Sequence, residues 1–115
     1  DWLEAASQRT APGIVRAVIA PHAGFSFSAE TAAFAYAHMD PSRVETIFVL
    51  GPSHHVHIRG CAVSTASCLE TPLGNLVIHQ EITRALLATG RFEVMTAQMD
   101  EDEHSIEMHL PFIQK

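Results

Sequence analysis

Thr46-Ile47-Phe48-Val49-Leu50-Gly51-Pro52-Ser53-His54-His55 holds the pattern that decides the fold. A short β-rich apolar run closed by Gly and Pro reads as a buried strand. Immediately beyond it stand two imidazoles. The same arrangement occurs upstream, where Ile14-Val15-Arg16-Ala17-Val18-Ile19-Ala20 runs into Pro21-His22-Ala23-Gly24. In open α/β sheets, ligand sites gather beyond the carboxyl ends of strands. A third histidine segment, Asp100-Glu101-Asp102-Glu103-His104-Ser105-Ile106-Glu107-Met108-His109, is acidic rather than strand-like.

Around these segments strands and helices alternate. Residues 2–7 read as the tail of a helix, and Pro12-Gly13 as a turn into the first strand. The residue before a proline avoids the helical region, which keeps Ala20 extended. Residues 21–28 form a loop, and Ser28 serves as N-cap of an Ala-rich helix over 29–38, ended by Asp40-Pro41. Strands follow at 45–50 and 61–65, then the turn Thr71-Pro72-Leu73-Gly74 and a short strand at 76–78. A helix over 80–89 stops at Gly90, another strand covers 92–96, and a last helix starts in the acidic run. Pro111 kinks or restarts that helix. The expected class is α/β, with a mostly parallel or mixed central sheet flanked by helices, in one continuous unit over residues 1–115.

Composition narrows the partners. The 115 residues carry a formal net charge of −6 with only seven Lys and Arg, which argues against nucleic acid and against anionic membrane surfaces. No apolar run approaches the roughly 20 residues of a membrane helix. Cys61 and Cys68, with no secretory signal in view, read as reduced and buried in a cytoplasmic protein. The opening Asp1-Trp2-Leu3-Glu4 and the apolar ending suggest a piece of a longer chain.

The chemistry lies in the histidines. His22 and His54 each sit just past a strand end, where a stiff Pro-containing turn fixes the ring, and two such imidazoles are candidate ligands of one divalent metal. The competing role for each is a backbone hydrogen bond at the strand end. His55 alternates away from His54 and is assigned to the pocket wall or surface. His104 and Glu107, three apart, share a helical face and are candidates to orient a ligand or transfer protons. The alternative there is a solvated acidic helix start. His109 falls about 140° around that helix from His104 and stays apart. Phe25 and Phe27 flank the first histidine as one wall of a pocket, or as core. Histidine ligands suit iron, copper and zinc alike.

Ala20-Pro21-His22-Ala23-Gly24-Phe25, Gly51-Pro52-Ser53-His54-His55 and the stretch from Glu103 through His104, Glu107 and His109 to Phe112 together resemble the MEMO family (mediator of ErbB2-driven cell motility). Thr71-Pro72-Leu73-Gly74 fits as well, and the resemblance covers essentially the whole chain. It implies a fold like that of class III extradiol ring-cleavage dioxygenases, whose metal is non-haem iron. It also implies a pocket of two His and a Cys, with the two His placed on His22 and His54. The Cys of that pocket belongs to a later segment, and neither Cys61 nor Cys68 lies in its motif. The chain is therefore expected to be an N-terminal-half fragment with an incomplete site. Two functions follow from the resemblance. One is a cytosolic iron- or copper-binding protein with a redox or dioxygenase-like role. The other is a non-catalytic signalling adaptor that holds a phosphopeptide or small molecule against Phe25, Phe27 and His55. An inactive scaffold is the third.

Overall fold

The computed structural model describes residues 2–6 and 13–115. Helices and small sheets of both kinds make it an α/β protein. The chain divides into two compact units, Asp1–Gly51 and Pro52–Lys115, each described by itself below. Ser7 and Pro12 of the sequence expectations lie outside the described residues.

The first unit is helical. Helix α1 (Trp2–Ala6) packs on α2 (Phe25–Tyr36) through Ala6 and through Ala29, Ala32 and Ala33, all buried. Alanine lets the two backbones approach closely, and it is the best helix former. Trp2 and Phe25 add a tilted ring contact at 5.7 Å. Helix α2 begins three residues before Ser28, so Ser28 is not its N-cap. Gly24 takes that place, and its carbonyl accepts from Phe27 N at 2.8 Å and Ser28 N at 3.2 Å. The Ser28 hydroxyl, buried inside the first turn, instead donates to Ala23 O at 2.7 Å. Phe25 and Phe27 are thus helical rather than loop residues. Beyond α2, the Asp40 carboxylate accepts from Ser42 N at 3.1 Å and caps the 3₁₀ turn Pro41–Arg43.

Neither expected strand of this unit joins a ladder. Residues 14–20 and 46–50 have no strand partner among the described residues, and Ile19 is 100% exposed. Ile14, Phe48 and Leu50 are exposed too. A buried parallel strand is held by neighbours on its edges and by helices over both faces, neither of which an apolar run supplies by itself. Propensity alone did not make these segments strands.

Among the described residues the paired strands all lie in the second unit. Strand β1 (Cys61–Val63) pairs in parallel with β4 (Phe92–Val94), Cys61 opposite Phe92 and Val63 opposite Val94. Between them in sequence lie the hairpin β2 (Cys68–Thr71) and β3 (Gly74–Val77), and then α3 (Gln80–Ala88). The turn at Thr71-Pro72-Leu73-Gly74 forms as expected. The Thr71 hydroxyl donates to Gly74 O at 2.7 Å and accepts from Leu73 N at 3.1 Å, while Gly74 takes φ +139°. Gly90 ends α3 with φ +69°, the left-handed value that favours glycine. Helix α4 (Ala97–Asp102) is capped by Thr96, whose hydroxyl accepts from Met99 N at 3.2 Å. Glu103 then turns extended, with φ −89° and ψ 139°, and the chain re-enters a 3₁₀ turn at Glu107–His109 and helix α5 (Leu110–Gln114). Pro111 sits in the first turn of α5, where its missing N–H costs nothing. Helix α5 lies against the β2–β3 hairpin, and Ser105, His109 and Leu110, at and just before its start, are buried.

Candidate metal centre

The extended backbone at Glu103 takes its side chain out of the acidic helix and onto the Pro52–His54 segment. Its Oε1 accepts three hydrogen bonds, from His54 Nδ1 at 2.7 Å, His104 N at 2.9 Å and Ser105 N at 3.0 Å. Its Oε2 accepts from His54 N at 2.6 Å. Ser105 completes the clasp by donating its hydroxyl to Pro52 O at 2.8 Å. The Glu103 side chain is only 11% exposed, against 36% for His54. Burial pushes the Glu103 carboxyl up, but the bonds from His54, Ser105 and His104 outweigh it and hold the group well below the usual carboxylate range.

The rings of His54 and His104 stack at 4.5 Å with 19° between their planes. His54, Glu103 and His104 each bring one nitrogen or oxygen donor atom within 4.8 Å of the others. Two imidazoles beside one carboxylate form a donor set that suits a divalent transition metal, and it does not distinguish iron, copper and zinc. The residues present therefore fit such an ion.

Of the residues singled out from sequence, His54 and His104 meet here. Glu107 does not join them. It is exposed on the 3₁₀ turn, and His104 precedes that turn in non-helical backbone, so the two share no helical face. The expected continuous helix is interrupted because Glu103 bonds to the backbone N–H of His104 and Ser105, in competition with helical pairing. His55 is exposed and outside the cluster, and His109 is buried apart from it. In the first unit, His22 lies half-buried in the loop before α2, Phe25 rests on Trp2, and Phe27 is 86% exposed.

Sequence reasoning missed Glu103. Four consecutive acidic residues look like one solvated face, and nothing in their spacing marks the last of them. The available signal was its position directly before His104, where a helix stop would detach it from the run.

The sequence match defines the class: residues 2–115 match the family described as Memo-like protein, and the chain belongs to it. It is 50% identical over 114 residues to Protein MEMO1 of Homo sapiens, covering 99% of this chain and 38% of that protein. Protein MEMO1 of Danio rerio matches equally, and Protein memo-1 homolog of Caenorhabditis elegans is 49% identical over the same length, 32% of that protein. The chain thus spans about a third of the length of these relatives. Among the described residues no helix is long and apolar enough to cross a membrane.

Proposed function

We propose that this chain supplies histidine ligands to a mononuclear metal centre of a cytoplasmic Memo-like protein, with iron or copper as the favoured ion. The observation that carries this is the convergence of His54, Glu103 and His104 on one another. His54 is the central ligand, His22 the second that the family resemblance implies, and His104 the neighbouring group able to orient a bound molecule or relay a proton. Iron or copper, when bound, supplies one-electron and dioxygen chemistry of the kind an oxidoreductase uses. The chain's own part is to hold the imidazoles, with Glu103 and Ser105 fixing the loop that carries them. His54→Ala is expected to lower metal uptake at least about tenfold, since removing one of a few ligands takes away a donor nitrogen and opens the coordination geometry. His22→Ala should do the same. Metal content measured on purified variants decides this, and wild-type uptake by both would sink the assignment.

A second role is favoured by one observation, the 86% exposure of Phe27 on the first turn of α2. A large aromatic left in water suits an anchor for a peptide partner. Under this adaptor role a phosphopeptide docks against Phe27, and Phe27→Ala abolishes its binding while leaving metal content unchanged. Peptide binding unaltered by Phe27→Ala, as read by fluorescence anisotropy, would remove the adaptor role.

A further inference from the structure

Glu103 stands beside the two imidazoles, and its bonds show what it does to the His54 ring. Oε1 already takes three N–H donors, and Oε2 takes a fourth. With three donors, Oε1 has no lone pair left to offer without breaking one of those bonds, so this oxygen is committed to His54, His104 and Ser105. Three of the four donors are backbone amides, which cannot reverse their role. They fix Glu103 as an ionised acceptor, and an ionised carboxylate has no proton to give. The 2.7 Å contact with His54 is therefore made by a proton on His54 Nδ1. In the neutral ring this places the lone pair on Nε2. The His54 backbone N–H bonds to the same carboxylate at 2.6 Å, so ring and main chain are gripped together and the rotation of the imidazole is fixed.

We infer that Glu103 is the positioning residue of this site: it locks His54 as the Nδ1–H tautomer and presents Nε2 as the metal-binding nitrogen. The inference rests on the metal-binding reading above for its purpose, though not for its geometry. Carboxylate partners of this kind fix ring orientation and raise ligand basicity, and their loss typically costs about 10–100-fold in metal affinity.

The test uses the chain with ¹⁵N-labelled histidine and Zn²⁺ as a diamagnetic probe. Long-range ¹H–¹⁵N correlation spectra of the metal-free protein, taken where histidines are neutral, should show the His54 proton on Nδ1, and added Zn²⁺ should shift Nε2. Glu103→Gln keeps an acceptor oxygen but loses the charge. It should mix the two tautomers and weaken Zn²⁺ binding about 10–100-fold by calorimetric titration. A merely structural role for Glu103 would leave the His54 tautomer of a folded variant unchanged. A His54 proton found on Nε2 in the wild type overturns the inference without any variant being needed. So does a Glu103→Gln protein with unaltered tautomer and affinity. Wild-type protein that carries the proton on Nδ1 yet takes up no Zn²⁺ supports the tautomer lock and overturns the metal reading instead.

Discussion

Glu103→Ala should destabilise the second unit by about 2–4 kcal/mol, a large fraction of what a small domain possesses. The substitution strands the N–H groups of His54, His104 and Ser105 together with the His54 ring, all of which bond to one carboxylate. Hydrogen bonds to a charged acceptor are worth more than neutral ones, and donors left unmet carry their own penalty. The loss stays below the simple sum because His54 is exposed enough for water to replace part of it. Acid should expose the same interaction. The folded carboxyl titrates below its ordinary value of 4.5, so its stabilisation is complete above that pH and drains away as pH falls toward the folded value. Urea midpoints from pH 7 down to pH 3 should fall more steeply for the wild type than for Glu103→Gln. Parallel curves would show that the bonds contribute nothing to folding.

Leu110→Ala should be comparably costly, at about 2–4 kcal/mol. Among the described residues Leu110 is the buried large apolar side chain of the second unit, 6% exposed, at the start of the helix that covers the β2–β3 hairpin. The other buried groups beside it are Ser105 and His109, which are polar and cannot relax into an apolar void. Leucine-to-alanine changes lose both transfer free energy and the contacts around the cavity. Equilibrium urea unfolding with an unchanged slope measures the effect, and a loss under about 1 kcal/mol would mean the site collapses onto the smaller residue.

The sequence was most legible where structure is local. Turn chemistry placed the Thr71 to Gly74 hairpin, Gly90 marked the end of α3, and Pro111 marked the restart at α5, since each depends on backbone angles set within a few residues. The runs at 14–20 and 46–50 were misjudged for the opposite reason. A parallel strand exists only in a ladder, and the ladder partner is not written in the run itself. The class of the fold survived because β1, α3 and β4 preserve the strand–helix–strand order. At the site, His54 and His104 were singled out by residue type and surroundings. Glu103 was concealed by three acidic neighbours, and only the break after Asp102 distinguishes it. Whether a carboxylate caps a helix or grips a distant loop is decided by one pair of backbone angles, which composition does not encode.

The clasp between the Pro52–His54 segment and residues 103–105 also bears on how the second unit forms. Its bonds join residues 49 and 53 apart in sequence, nearly the whole length of the unit. Closing a loop of that size costs on the order of 3–4 kcal/mol in chain entropy before any contact offsets it. The hairpin and α3 can assemble early from near neighbours, whereas the grip of Glu103 on His54 must await the arrival of the far end. The site is thus expected to form late in folding, and an ion bound there would act on the rate of opening, keeping the two ends of the unit shut.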